Sequence, residues 1–181
     1  PDRLGSMVRA ALGCYKAAVG YQTPFISGKD SLYNEYTEGK KSIAIPGTLL
    51  ISAIGIVEDI HKAVTMDLKE AGNLIYVVGK TYDELGGSVY LETLGQLGDT
   101  VPRTNMNKAV QTFTALASAI QKGYIRAAHD CSEGGLAVAL AEMAFAGGLG
   151  VNVHLDKIPF SGEEKRDDIL LFSESNSRFI V

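Results

Sequence analysis

Three short runs of this sequence place glycine beside side chains able to bind or react. In Ser27-Gly28-Lys29-Asp30-Ser31, glycine lets the backbone approach a ligand closely. Lysine supplies a point charge for phosphate, and aspartate with serine can hold magnesium or a hydroxyl. The run is not a P-loop: residue 23 is Thr23 where the first glycine is required, and Asp30 stands where Ser or Thr follows Gly-Lys. An ordinary charged turn is the competing reading. The second run is His129-Asp130-Cys131-Ser132-Glu133-Gly134-Gly135, which reads as a passage from a strand into a helix. Free amides at a helix start attract anions, and paired glycines allow close approach. A Cys131–His129 nucleophile is conceivable, but no partner orients the base. A capped helix start, with Asp130 or Ser132 as cap, is the plainer reading. The third run, Ser173-Glu174-Ser175-Asn176-Ser177-Arg178, can bind a polar ligand or close a turn through its own hydroxyls. Leu85-Gly86-Gly87-Ser88 is similarly glycine-rich. His61 and His154 are isolated and offer no metal-ligand spacing.

The elements that position these runs follow from periodicity. Leu4, Met7, Val8, Ala11, Leu12, Tyr15, Ala18 and Val19 share one helical face, with Asp2 as N-cap and Gly20 as stop. Pro24 to Ser27 reads as a brief strand, 28–42 as an exposed polar loop, and Thr48 to Val57 as a strand covered on both faces. Gly55 marks a bulge or close approach within it. Strands are predicted at Asn73 to Val78, Ile125 to Ala128, Val151 to Leu155 and Arg178 to Val181, with Gly79-Lys80-Thr81 as a loop. Helices are predicted at Asn107 to Gln121, Gly134 to Ala146 and Glu163 to Phe172, the first of these facing inward through Val110, Phe113, Leu116, Ala117 and Ile120. Alternating strands and helices give an α/β class of α+β type, with mixed sheets covered by helices. A domain boundary is placed near Asp67 to Gly72, dividing 1–71 from 72–181.

Composition excludes several classes. The chain has 181 residues, 17 Lys+Arg against 21 Asp+Glu, and 46% hydrophobic residues. It can bury a core, and its acidic balance gives no electrostatic footprint for nucleic acid. The longest uncharged run, Ile43 to Val57, spans 15 residues and is interrupted by Pro46, Gly47 and Gly55, too short for a membrane span of about 20 residues. No secretory signal opens the chain, and two cysteines make neither a disulfide framework nor a zinc spacing; the expected location is cytoplasmic. Glycine, 20 of 181 residues, exceeds the usual ~7%. A start without Met and a stop at Phe179-Ile180-Val181, in mid-strand, read as a piece of a larger protein.

Taken in order, residues 24–35 (Pro24-Phe25-Ile26-Ser27-Gly28-Lys29-Asp30-Ser31-Leu32-Tyr33-Asn34-Glu35), 85–88, 128–136 and 171–178 resemble phosphoribosylformylglycinamidine synthase, of the aminoimidazole ribonucleotide synthetase superfamily. The resemblance implies the end of a second A domain (1–71) followed by most of a second B domain (72–181), truncated at its C-terminal end. It implies an ATP-dependent ligase of purine biosynthesis. That enzyme converts formylglycinamide ribonucleotide, ATP and ammonia from glutamine into formylglycinamidine ribonucleotide, ADP and phosphate. On the matching positions, Gly28 contacts ATP and Ser31 contacts the ribonucleotide. Lys29 occupies the place where many members carry an asparagine ligand for Mg2+, which leaves Asp30 as the chemically able metal ligand. The resemblance assigns no catalytic residue here, since the family's catalytic histidine is not His129. It implies a glutaminase domain or subunit and the remainder of the synthetase as partners, with neither nucleic acid nor membrane among them. This stretch alone is expected to be inactive. Two alternatives stay open: a non-catalytic nucleotide-binding or scaffold half of the same enzyme, and a Cys131-based hydrolase.

Overall fold

A computed structural model describes residues 2–31 and 33–181, the side chain of Asp2 excepted. The chain forms two compact units, Pro1–Ile56 and Val57–Val181.

In the first unit, helix α1 (Asp2–Tyr21) follows the predicted apolar periodicity. It continues one residue past the expected stop at Gly20. The chain then turns through Gln22, at φ 55°, while Thr23 N–H donates to the Ala18 carbonyl at 3.0 Å; a left-handed residue after the helix lets a late carbonyl find a donor. The N-cap expected at Asp2 lies outside the described residues, since that side chain is not described. The segment expected to be an exposed loop carries an antiparallel hairpin from residue 35 onward. Its strands β1 (Glu35–Glu38) and β2 (Lys41–Ala44) pair Glu35 with Ala44 and Glu38 with Lys41 across the two-residue Gly39-Lys40 turn. Ser42 Oγ donates to the Glu35 carboxylate on the same face.

Two predicted strands in this region do not form. Residues 24–27 and 48–57 have no regular structure and are exposed, with Leu50, Ile54 and Ile56 each more than four-fifths accessible. A strand exists only where its amides and carbonyls meet a neighbouring strand. Among the described residues nothing pairs with either run, so apolar character alone makes no strand and Gly55 makes no bulge.

In the second unit, β3 (Val77–Val78), β5 (His129–Asp130) and β7 (Phe179–Ile180) form an antiparallel sheet with β7 central. Reciprocal Tyr76–Val181 bonds at 2.9 and 3.0 Å extend the ladder, and Cys131 N–H donates to the Arg178 carbonyl at 3.0 Å. Strands β4 (Thr81–Tyr82) and β6 (Phe160–Ser161) pair in parallel. The helices are α2 (Val89–Thr93), α3 (Met106–Gln121), α4 (Gly135–Gly147) and α5 (Asp167–Phe172). The core forms around Leu136, Ala139, Leu140 and Met143 of α4, which meet Ala127, Ile158, Leu170 and Ile180. Their 3-and-4 spacing gives α4 a buried face despite its apolar character all round.

Several boundaries differ from expectation. The strand predicted at 73–78 reduces to Val77–Val78, Thr81 opens a strand instead of ending a loop, and in place of the strand predicted at 125–128 the pairing falls just after it, at His129–Asp130. Residues 151–154 pair with nothing described, and 155–157 form a 3-10 turn. The helix expected from Glu163 begins at Asp167, because Arg166 is extended at φ −97°, ψ 149°. Inward positions of α3 are Ala109, Thr112, Leu116 and Ile120, whereas Val110, Phe113 and Ala117 are exposed; the packed stripe is rotated from the one the apolar residues mark.

Candidate functional site

Three of the four glycine- and hydroxyl-rich runs, separate in sequence, meet in the second unit. The segment between α5 and β7 is the hub. Arg178, only 1% exposed, donates from Nε to the Ser175 carbonyl at 3.0 Å, from one terminal nitrogen to Thr81 Oγ1 at 2.7 Å, and from the other to the Ser173 carbonyl. Burial pulls its pKa below the ordinary arginine value, yet a guanidinium stays charged in proteins. Its charge is therefore satisfied by three oxygens, as a buried cation requires. Ser175 Oγ accepts from Tyr82 N–H at 3.0 Å and donates to the Tyr82 carbonyl at 3.4 Å, while Ser173 Oγ accepts from Glu84 N–H at 3.4 Å. Both serines are fully buried.

Glu174, between them, turns to the other runs. Its Oε1 accepts from Gly134 N–H at 2.8 Å and from Val89 N–H at 3.0 Å. The cap of α4 is thus neither Asp130 nor Ser132, as the sequence led us to expect. Gly134 stands at the N-cap at φ 77° with no side-chain cap, and a carboxylate from 40 residues away takes its amide. Close backbone approach explains the glycines: a Cβ on Gly135 would meet the Ser173 carbonyl oxygen at 2.6 Å, and one on Gly86 would meet the Thr100 backbone at 2.7 Å.

Beside this hub lies a cavity of about 400 Å³. Its walls include Phe113, Ser132, Glu133, Glu174, Asn176 and Arg178. Asn176 is steadied by Thr104 Oγ1 at 2.9 Å, and Phe113 meets Phe179 edge-on at 5.8 Å. Such a volume, with aromatic and hydroxyl groups on its walls, suits a polar organic ligand. Neither Thr81, read only as part of a loop, nor Glu84 was expected at a site, although Glu84 directly precedes the Leu85-Gly86-Gly87-Ser88 run. Glu84 accepts from Arg103 N–H at 3.0 Å through Oε1, and its buried Oε2 has no partner among the described residues.

The nucleophile reading of Cys131 fails on chemistry. The thiol is buried, and burial pushes it up to about 11, overriding the pull of the Arg178 charge. His129 is engaged elsewhere, with Nε2 2.8 Å from Glu142 Oε2 and Nδ1 3.4 Å from Asp130 Oδ1.

The run 27–31 belongs to the first unit and is exposed throughout. Lys29 Nζ donates to the Asp30 carbonyl at 3.0 Å and to Ser31 Oγ at 2.6 Å, and open space surrounds Gly28. The loop therefore presents an ammonium, a hydroxyl and accessible backbone together. As a magnesium site this donor set falls short. It has a single carboxylate with an ammonium at hand, and the described residues hold no group of three or more His, Cys, Asp or Glu able to bind a metal ion. No helix among the described residues is long and apolar enough to cross a membrane.

Residues 70–181 match the family model described as AIR synthase related protein, C-terminal domain. The chain belongs to this family. Within the AIR synthase-related proteins, it is similar over its whole length to the phosphoribosylformylglycinamidine synthase subunit PurL of Alkaliphilus metalliredigens, at 39% identity over 182 residues and 23% of that protein. The PurL subunit of Deinococcus radiodurans is 40% identical over 187 residues, again all of this chain and 24% of that protein. The chain therefore spans about a quarter of the length of these curated relatives. Among solved structures, Thermotoga maritima PurL complexed with ATP superposes on 67% of this chain and 19% of its own, with a TM-score of 0.52 and 25% identity. The same protein complexed with FGAR superposes on 67% of this chain and 21% of its own, with a TM-score of 0.59 and 23% identity, a likeness of fold. The resemblance carried by the motifs is borne out for this family, and with it the mixed α/β class.

Proposed function

We propose that this chain is part of an ATP-dependent ligase of purine biosynthesis. The reaction joins ammonia, released from glutamine, to formylglycinamide ribonucleotide and forms formylglycinamidine ribonucleotide, ADP and phosphate. What carries the reading is the similarity of the whole chain to about a quarter of each PurL subunit, at 39% and 40% identity. In this reaction ATP phosphorylates the amide oxygen, and ammonia then displaces phosphate from the iminophosphate carbon. Catalysis of such a transfer is mainly positioning and charge neutralisation, and the exposed Gly28–Ser31 loop has groups for both. Gly28 offers its backbone to ATP, Lys29 its charge to phosphate, and Ser31 its hydroxyl to the ribonucleotide. Asp30 is the loop's one carboxylate for Mg2+, and a complete coordination shell would need oxygens from outside the loop. The reading includes a glutaminase domain or subunit as partner, further synthetase segments, a cytoplasmic location and no turnover by this stretch alone.

A second reading is a non-catalytic nucleotide-binding or scaffold half of the same enzyme. It is favoured by the Gly134 amide, which already holds an internal carboxylate. Replacing Ser31 by Ala in the complete, glutaminase-supplied synthase separates the two. Loss of one substrate hydrogen bond predicts a fall of roughly tenfold in kcat/KM for the ribonucleotide. Unchanged turnover and KM would leave the scaffold reading. ATP-dependent amidine formation by the isolated 181-residue chain would overturn the claim of inactivity.

A further inference from the structure

Glu174 has a place no other side chain of the site shares. Both amides it holds stand at helix starts and take no other side-chain oxygen there. Val89 opens α2, where Ser88 Oγ is spent on Leu91 N–H at 3.3 Å; Gly134 precedes α4 and has no side-chain cap. Its main chain is fixed on both sides, because Ser173 and Ser175 are buried, bonded to the 82–84 backbone and gripped through their carbonyls by Arg178. The carboxylate is thus a rigid internal anion joining the 85–88 and 129–135 runs to the 173–178 segment. It also lines the cavity, together with Asp130 and Glu133. Arg178, the one cation among the described residues of that wall, already has its three oxygens.

We propose that Glu174 is the positioning residue of this cavity: it locks three turns in register, and its charge closes the start of α4 to phosphate. The cavity then accepts an uncharged, hydrogen-bonding part of a ligand and turns phosphate groups away. An amide that already donates to a carboxylate at 2.8 Å has nothing left for a phosphate oxygen, and a second anion beside the first is repelled.

That this geometry serves catalysis rests on the ligase reading. The test therefore has two arms, both on the complete synthase. In the kinetic arm, Glu174→Gln keeps an acceptor oxygen of the same reach but loses the charge, and Glu174→Ala loses both. Displacement of the three turns, even from outside the reacting centre, predicts a fall in kcat of about tenfold to a hundredfold for Ala, with Gln between Ala and wild type and KM for ATP little changed. Equal kcat in all three proteins, or a loss explained wholly by the unfolded fraction, would overturn the positioning role. In the structural arm, crystals of each protein are soaked in inorganic phosphate. Phosphate is expected at the Gly134 amide in Glu174→Ala and absent there in wild type; phosphate bound at that amide in wild type, or in neither protein, overturns the exclusion. Should Glu174→Ala fail to fold, Glu174→Gln carries the kinetic arm, with slower turnover expected, and Glu174→Ser, too short to reach the Gly134 amide, carries the soak, with phosphate expected at that amide. If the wild-type synthase does not use formylglycinamide ribonucleotide, the ligase reading fails, and the phosphate soaks still decide the inference.

Discussion

Arg178 and Thr81 stand 97 positions apart in the chain, and a 2.7 Å hydrogen bond from guanidinium to hydroxyl joins them in the interior. It is one of three bonds that fix the buried cation, and together they tie strand β4 to the segment carrying Glu174. Removing the side chain leaves two carbonyls and a hydroxyl without their donor. Arg178→Met is therefore expected to destabilise the chain by roughly 3 kcal/mol. Arg178→Lys should recover little, since an ammonium on a flexible stem cannot reproduce the planar fork. Urea unfolding followed by circular dichroism checks both; a lysine variant as stable as wild type would show that charge alone suffices.

Gly135 sits at φ 66°, and an added Cβ would lie 2.6 Å from the Ser173 carbonyl oxygen and 2.9 Å from that of Leu171. The neighbours are backbone and cannot swing aside. Gly135→Ala is expected to cost about 2–4 kcal/mol. Gly150→Ala, where nothing lies within 4 Å, serves as the control and is expected to change stability by less than about 1 kcal/mol. Comparing the two unfolding midpoints decides whether close approach, rather than loss of glycine as such, is responsible.

With its thiol raised to about 11, Cys131 holds roughly one part in ten thousand as thiolate at pH 7. Alkylation by iodoacetamide under native conditions is expected to modify Cys14, which is half-buried on α1, and to spare Cys131 until the chain is unfolded. Peptide mass spectrometry after timed labelling gives the answer. Rapid native labelling of Cys131 would restore the nucleophile reading.

Asp168, in the first turn of α5, is held below the ordinary carboxylate range, first by its hydrogen bonds from Arg166 and then by the charge of that guanidinium. A depressed folded pKa means that the contribution is complete above the unfolded value of about 3.9 and is lost as pH falls through the lower folded value. Asp168→Asn should thus be less stable than wild type at pH 7, and the difference should vanish under strong acid. Arg166 is exposed, so the gap is small and should shrink further in 1 M salt. Unfolding midpoints at pH 7 and pH 2, with and without salt, test the sign.

Helical periodicity alone located α1, α3 and α4 to within a residue or two, because a helix closes its hydrogen bonds within its own segment. Strands were less legible for the opposite reason. Thr48 to Val57 has the more apolar run, yet Phe179-Ile180 became the central strand, since a ladder needs neighbours and sequence does not say which segments meet. The runs at 27–31, 85–88, 129–135 and 173–178 were visible as chemistry, and their order was enough to indicate the family. What only the tertiary structure decided is how they are used: that Glu174, not Asp130 or Ser132, takes the amide before α4, that Arg178 is a buried tie and not a surface cation, and that Thr81 and Glu84 belong to the same network. Each of these is a contact across 40 to 97 positions of chain. Residue types state which bonds are possible, whereas packing decides which donors and acceptors are brought within reach, and a buried polar group takes the partner that packing provides.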